Sequence, residues 1–307
     1  MNPAKSTATN NKKEVVYKKR SSISGLVSRL KSYGVDSSRI NAEIMLSHIL
    51  GCRIIDLYTK DIILSPEHIA CLENMIVRRM QGEPLQYITG KVNFYGNDLT
   101  VKDGVFIPRP ETEILVDVVI GLLIQNAQYD MRNTTYEPLI LDLCTGSGNV
   151  AISLTKALTQ CRIIASDISE EAISVAKNNA ELNNVSDRIE FIRADLCNIP
   201  QAFKGRFNIM VANPPYILSA AIEGLPKEVK QEPYNALNGG ADGLDFYKRI
   251  IKESPFFLKE DGYLVLEIGD EMHKEIAGLF ESSGSFRDIK VFRDLNNIDR
   301  VIRAQKA

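Results

Sequence analysis

The sequence predicts an α/β domain with a mostly parallel seven-stranded sheet, preceded by a small helical module. Three observations lead to this prediction: a length of 307 residues, the alternation of buried strands and helices after Glu113, and apolar residues at helical spacing before residue 82. A chain of this length exceeds one typical domain. Alternating strands and helices place helices on both faces of a parallel sheet, with ligands beyond the carboxyl ends of its strands.

The composition is that of an ordinary globular protein, with 44% hydrophobic and 25% charged residues. No apolar run approaches the roughly 20 residues that span a bilayer, so we expect no association with membranes. The five cysteines are odd in number and lack the close pairs of a zinc site, which indicates reduced thiols in the cytoplasm and no bound metal. A net charge of −2 gives no overall attraction for nucleic acid, although a local basic patch stays open.

The first segment, residues 1–20, is polar and rich in lysine. It lacks the apolar core and small-residue cleavage site of a secretory signal, so we expect a flexible, unprocessed tail. An organelle-targeting peptide is the alternative, because acidic residues are scarce there, but Arg20 is the only arginine.

Residues 21–82 are predicted to form a helical module. Apolar residues recur at helical spacing up to Gly34, where a left-handed stop is easy. A second amphipathic helix ends before Gly51, and a third begins with Ser65 as N-cap and stops at Gly82.

Residues 83–110 are predicted to form a β-hairpin linker with its turn at 96–98, because the apolar period changes there from helical to alternating. Two prolines within 108–110 then make a stiff corner. Residues 111–307 form the predicted α/β domain. Its strands are expected at 139–143, 162–166, 189–193, 207–212, 263–268, 289–292 and 300–304.

A glycine-rich segment follows the first of these strands and leads directly into a helix. Its candidate ligand-binding residues are Cys144, Thr145, Gly146, Ser147 and Gly148. Glycines at such a turn let the backbone approach a ligand closely. A tight turn without a ligand remains open, because glycine fingerprints are weak by themselves.

The ends of the next two strands carry further candidates. Asp167 follows the glycines by about twenty residues, where a carboxylate can accept both ribose hydroxyls, although it could simply begin a helix. The loop lacks the third glycine of dinucleotide sites, which favours a mononucleoside cofactor. Asp195 could accept from an adenine amino group and Leu196 could pack on the ring, or Asp195 could be only a turn residue.

The segment after the fourth strand, Asn213-Pro214-Pro215-Tyr216, is the most specific signal in the sequence. Two consecutive prolines end the strand and stiffen the loop. The Asn213 side-chain oxygen and the Pro214 carbonyl could accept from one –NH2 group, while Tyr216 stacks on the planar group that carries it. Such a nitrogen is a poor nucleophile, and directing both N–H bonds to acceptors turns its lone pair toward a methyl donor.

Four segments together, 82–88, 107–113, 142–148 and 213–217, resemble the release-factor glutamine methyltransferases, the PrmC/HemK family. The resemblance covers nearly the whole chain from the first helix to the last strand. It implies a Rossmann-like class I methyltransferase domain that uses S-adenosyl-L-methionine. The expected reaction is methylation of the side-chain nitrogen (N5) of glutamine in the Gly-Gly-Gln loop of class I peptide-chain release factors, with the helical module gripping the factor.

By position, the resemblance places the 144–148 loop, Asp167, Leu196 and Asn213 at the cofactor, and residues 213–216 at the glutamine. Cys144 stands where the family often has glycine; a cysteine there is tolerable if its backbone dihedrals are ordinary, and its thiol then simply packs.

Two other functions compete with this one. An adenine-N6 DNA methyltransferase meets the same planar –NH2 problem after base flipping, but the near-zero net charge and the lack of a large base-reading insertion count against it. A non-catalytic adaptor that binds S-adenosylmethionine is disfavoured by the intact loop at 213–216. A methyl-transfer assay separates all three.

Overall fold

A computed structural model describes most of the chain, and the chain divides into two compact units between Thr89 and Gly90. The described residues are 19–61, 63–125 and 137–307. The predicted tail lies outside them, apart from Lys19 and Arg20, which begin the first helix. Within these ranges no helix is long and apolar enough to cross a membrane.

The first unit is helical, as predicted. Its elements are α1 (Lys19–Ser32), α2 (Ser38–Leu50), α3 (Asp56–Thr59), α4 (Pro66–Met80) and α5 (Leu85–Thr89). The predicted stops are confirmed, because Gly34 and Gly51 have φ values of 73° and 58°. Ser65 caps α4 by accepting from the backbone N–H of His68. The two single-turn helices α3 and α5 were not predicted, because four or five residues carry too little periodicity.

The second unit opens with a hairpin of β1 (Lys91–Phe94) and β2 (Asn97–Thr100). The predicted turn at 96–98 is wrong by one residue. Tyr95 and Gly96 form the turn, with φ values of 51° and 72°, and two residues with positive φ match the twist of the flanking strands. Asn97 is a buried strand residue whose amide donates to the Ser153 hydroxyl.

The central sheet contains seven strands, as predicted, in the order β5-β4-β3-β6-β7-β9-β8. They are β3 (Leu139–Leu143), β4 (Arg162–Asp167), β5 (Ile189–Arg193), β6 (Phe207–Ala212), β7 (Leu258–Glu267), β8 (Phe286–Arg293) and β9 (Asp299–Lys306). The first five are parallel, and β9 runs antiparallel to both of its neighbours. The chain reverses direction across the sheet between β3 and β6, which opens a crevice at their carboxyl ends.

Helices cover both faces of this sheet. They are α6 (Glu113–Gln125), α7 (Asn149–Ala157), α8 (Glu170–Leu182), α10 (Asp245–Glu253) and α11 (His273–Ser283), whereas the single-turn helix α9 (Tyr234–Leu237) lies in the connection before α10. Alternate residues of β3 point to opposite faces, so Ile140 joins the core under α6 and α7 and Leu141 joins the core under α10 and α11. A long and mostly irregular connection, 213–244, contains α9, links β6 to α10 and lies at the carboxyl end of the sheet.

Candidate active site

A cavity of about 1240 Å³ opens at the carboxyl ends of the parallel strands. We call the part formed after β3, β4 and β5 the cofactor half, and the part formed after β6 the acceptor half. The predicted site residues that line it are Cys144, Thr145, Gly146, Ser147, Asp167, Asp195, Leu196, Asn213, Pro214, Pro215 and Tyr216. Gly148 does not line it. It is the N-cap residue before α7, with a φ of 82°, and a methyl group there would lie 3.1 Å from Cβ of Ala176, so this glycine permits close helix packing.

The glycine loop is tied to the end of the next strand through Asp167. Its Oδ2 accepts from the backbone N–H of Gly146 at 2.9 Å, and its Oδ1 accepts from that of Ser169 at 2.9 Å. Burial raises the pKa of this carboxyl, against the effect of those hydrogen bonds. Each oxygen has a second lone pair, so Asp167 can also accept from a ligand hydroxyl.

Asp142, the fourth residue of β3, also lines the cavity and was not proposed from the sequence. It is 2% exposed, and the Thr145 hydroxyl donates to it at 2.6 Å. Burial raises the pKa of Asp142 to about 7. Asp142 is the only charged residue in the otherwise apolar strand β3. A single acid in a buried strand is unusual, and this could have indicated a functional residue.

Cys144 does not meet the condition of ordinary backbone dihedrals, because its φ is 57°. A non-glycine residue in this left-handed region costs about 1–3 kcal/mol. The tight turn from β3 into α7 imposes the conformation, since Gly146 and Gly148 in the same loop have φ values of 55° and 82°. Burial raises the pKa of the Cys144 thiol well above its ordinary value, so the thiol stays neutral.

The end of β5 places Asp195 and Leu196 side by side in the cavity wall. Leu196 is 5% exposed and has a φ of 49°. Arg249 of α10 donates to Oδ2 of Asp195 at 2.9 Å, and both side chains remain about half exposed. Arg249 also lines the cavity. The sequence did not indicate this partner, which lies 54 positions later.

In the acceptor half, Asn213 follows the last residue of β6. Its Nδ2 donates to the Thr112 hydroxyl at 3.1 Å. A side-chain amide that donates through nitrogen on one side presents its oxygen on the other, as an acceptor. Thr112 lies in the short turn before α6 and is 1% exposed, so this contact is shielded from water.

Three glycines pack against Tyr216. Methyl groups at Gly239 and Gly243 would lie 2.6 Å from its Cα and its carbonyl oxygen, and one at Gly269 would lie 3.0 Å from its ring. Burial raises the pKa of Tyr216 to about 12, so its phenol stays protonated. These glycines leave room for Tyr216, the last residue of the Asn-Pro-Pro-Tyr loop. The sequence did not indicate these contacts, because the three glycines lie far from Tyr216 along the chain or carry no side chain to suggest packing.

The walls of the acceptor half are joined by a buried acid on the 213–244 connection. Glu232 is 5% exposed. It accepts from the backbone N–H of Ile107 at 3.1 Å and forms an ion pair with Arg109. The Arg109 guanidinium also lies 4.9 Å from the centre of the Phe106 ring. Phe106 and Arg109 line the cavity, so this contact closes one side of it.

The described residues contain no group of three or more His, Cys, Asp or Glu side chains able to hold a metal ion. The polar groups that line the cavity include carboxylates, side-chain amides, hydroxyls and the guanidinium groups of Arg109 and Arg249. Such a set suits recognition of a nucleoside and orientation of a neutral –NH2 group.

Comparisons with known proteins cover both units. Residues 23–90 match the PrmC N-terminal domain, and residues 138–288 match a methyltransferase domain. The chain is 40% identical over 268 residues to the release factor glutamine methyltransferase of Thermodesulfovibrio yellowstonii, spanning 87% of this chain and 92% of that protein. It is 36% identical over 275 residues to the protein of the same name from Geobacter sulfurreducens, spanning 89% and 91%.

Solved structures support the fold. The catalytic domain of hMettl16, crystallised with a hairpin of the MAT2A 3′UTR, aligns with a TM-score of 0.54 at 15% identity, over 78% of this chain and 82% of that one. At this identity the likeness concerns the fold alone.

Proposed function

This chain belongs to the release factor glutamine methyltransferase family, and we propose that it methylates the N5 amide nitrogen of the glutamine in the Gly-Gly-Gln motif of class I peptide-chain release factors. Family membership makes it a methyltransferase that uses S-adenosyl-L-methionine. The observation that carries the finer proposal is Asn213, whose amide nitrogen is held by Thr112 at 3.1 Å inside the cavity that the glycine loop also lines.

The cofactor half fits S-adenosylmethionine by its donor set. Asp167 would hold the ribose, the 144–147 backbone would approach the cofactor closely, and Asp195 with Leu196 would contact the adenine. Gly146 has a φ of 55°, and a methyl group there would meet no protein atom within 4 Å. When bound, the cofactor supplies a methyl group on a positively charged sulfonium.

The acceptor half would orient the glutamine amide. The Asn213 oxygen and the Pro214 carbonyl accept its two N–H bonds, and Tyr216 stacks on its plane. Because an amide nitrogen delocalises its lone pair, fixing both hydrogens favours a pyramidal nitrogen with a directed lone pair. The nitrogen becomes strongly acidic once methylated, so water can take the proton. Tyr216 is not the base, because its phenol holds its own proton with a pKa of about 12.

The decisive experiment uses purified protein, labelled S-adenosylmethionine, and either a class I release factor or duplex DNA. We expect label on the Gly-Gly-Gln glutamine and none on DNA. A release factor with that glutamine replaced by alanine is the matched control and should stay unlabelled. Methylated adenine with an unlabelled factor would instead favour the DNA methyltransferase hypothesis.

We also propose that the helical unit, predicted from the sequence at 21–82, docks the release factor. A chain beginning at Gly90 should keep its affinity for S-adenosylmethionine, because the cavity lies within the second unit. Methylation of intact release factor should become much slower at subsaturating factor, since docking area is lost. Equal rates for the truncated and full chains would show that docking occurs elsewhere.

A further inference from the structure

Asn213 can serve as an acceptor only in one of two orientations. A side-chain amide rotated by half a turn has nearly the same shape but exchanges its oxygen for its nitrogen. The proposed reaction needs the oxygen toward the glutamine. Something else must therefore hold the nitrogen, and Thr112, 101 positions earlier, accepts from it at 3.1 Å.

Glu267 completes this contact from the neighbouring strand. Ala212, which precedes Asn213, pairs with Leu266, which precedes Glu267. Glu267 is 2% exposed, and hydrogen bonding from the side chains of Thr112 and Asn213 lowers the pKa of its carboxyl, against the rise that burial causes. Its Oε2 has no hydrogen-bond partner among the described residues.

The direction of the hydrogen bonds follows from chemistry. A carboxylate has no proton and can only accept. The Thr112 hydroxyl therefore donates its single proton to Glu267 and keeps its lone pairs for Asn213. With both neighbours acting as acceptors, only the nitrogen of Asn213 can face them.

We propose that Thr112 and Glu267 are positioning residues for methyl transfer: they fix the Asn213 amide with its nitrogen toward the protein and its oxygen toward the acceptor amide. The inference rests on the proposed function of the acceptor half. A purely structural role accounts poorly for the pair, because burying a carboxyl with one unsatisfied oxygen is costly and an apolar pair of similar volume would avoid the cost.

Protonation of Glu267 should weaken its hold on the orientation of the Asn213 amide. Burial raises the pKa of Glu267 to about 7, opposed first by the Thr112 hydrogen bond and then by Arg300. A protonated carboxyl can donate to Thr112, which then can donate to the Asn213 oxygen and hold the wrong orientation. Turnover should therefore rise as the pH increases through about 7. The titratable or charged groups that face Glu267 from the surrounding elements are Glu111, Tyr216, Tyr247 and Arg300.

The test compares Thr112→Val, Thr112→Ser and Glu267→Gln in the full chain, with release factor as substrate. Thr112→Val and Glu267→Gln should lower kcat by about 10- to 100-fold, because a small misplacement of an orienting group has effects of this size. The dissociation constant for S-adenosylmethionine and the KM for the factor should change less than about threefold, because an interaction that acts on the transition state contributes little to binding. Thr112→Ser keeps the hydroxyl and should recover most of the lost kcat.

Thr155→Val is the matched control for removing a buried hydroxyl. Thr155 is also buried and donates to the Ala151 carbonyl at 2.8 Å within α7, away from Asn213. It should lose thermal stability comparably to Thr112→Val while keeping kcat. In Glu267→Gln, the rise of kcat near neutral pH should disappear, which a merely structural role would not produce.

A second measurement works without any acceptor substrate. The side-chain N–H resonances of Asn213, assigned by their loss in Asn213→Asp, should titrate near pH 7 in the wild-type chain and stop titrating in Glu267→Gln. A normal kcat in Thr112→Val would overturn the positioning role. Asn213 resonances that titrate in Glu267→Gln as they do in the wild-type chain would also overturn it. A wild-type chain that leaves release factor unlabelled would instead overturn the proposed function, and the resonances would still decide whether this network holds Asn213.

Discussion

The two halves of the cavity are supported over different distances along the chain. In the cofactor half, Asp167 holds the N–H of Gly146, 21 positions before it. In the acceptor half, Asn213 depends on Thr112, 101 positions away, and Glu232 reaches Arg109 across 123. Consecutive β-α units bring the first set together, whereas the second requires β6, β7 and the turn before α6 to meet.

This difference suggests a division of labour. The cofactor half contacts a ligand through groups at adjacent strand ends, so its variants should mainly change affinity. The acceptor half orients a poor nucleophile through remote supports, so its variants should mainly change turnover. Substitutions in each half test whether affinity and turnover separate in this way.

The largest effect is expected for Asn213→Ala. Losing one preorganised acceptor should reduce turnover by about 10²–10³-fold, or about 2.7–4 kcal/mol. Cofactor affinity should change far less. Single-turnover methylation of release factor at saturating cofactor, together with calorimetry, measures both quantities.

Asn213→Asp refines this experiment. It keeps acceptor oxygens but removes the nitrogen that donates to Thr112, and it adds a charge near the buried carboxyl of Glu267. We expect binding of S-adenosylmethionine with badly impaired turnover. Near-normal turnover in Asn213→Ala would rule out the hydrogen-bond mechanism, even though the fold assignment would stand.

Asp167→Ala should have the next largest effect, and on affinity. Ribose hydroxyls would lose their acceptor and Gly146 its hydrogen bond, at a cost of roughly 1–3 kcal/mol in cofactor binding. Glu170→Ala is the matched control, because Glu170 is a nearby acid whose side chain is 83% exposed. An unchanged dissociation constant in Asp167→Ala would place the ribose elsewhere and break the proposed division.

Gly239→Ala tests a remote support of the acceptor half. The added methyl group would lie 2.6 Å from Cα of Tyr216. Overpacking of about 1–3 kcal/mol should displace the loop and lower turnover about tenfold, with cofactor affinity retained. Gly224→Ala is the control in the same connection, since a methyl group there meets nothing within 4 Å. Equal activity of the two variants would mean that Tyr216 tolerates displacement.

The smallest effect is expected for Arg249→Ala. Its ion pair with Asp195 is about half exposed, so solvent screens it and its loss should change cofactor affinity by less than about 1 kcal/mol. Calorimetry in low and moderate salt measures the change. A loss comparable to that of Asp167→Ala would mean that Arg249 itself contacts the cofactor, and the cofactor half would then extend to α10.

Much of the fold was predicted from the sequence alone. The strands at 139–143, 189–193 and 207–212 have the predicted bounds, and Ser65 caps its helix as expected. These features follow from local chemistry, since apolar periodicity and capping residues act within a few positions. The hairpin turn was misplaced because nothing in the sequence indicates the positive φ of Tyr95. The positive φ of Cys144 is likewise not indicated by its residue type.

The sequence by itself also placed all of its candidates except Gly148 in the cavity wall, because the carboxyl ends of parallel strands share one edge of the sheet. It did not indicate Asp142 or Arg249, which line the same cavity. Only the tertiary structure decided how they are held. Thr112 lies 101 positions before Asn213, and Glu267 lies 54 positions after it. No local pattern carries such contacts, because they form only when β7 lies beside β6 and the turn before α6 packs against both.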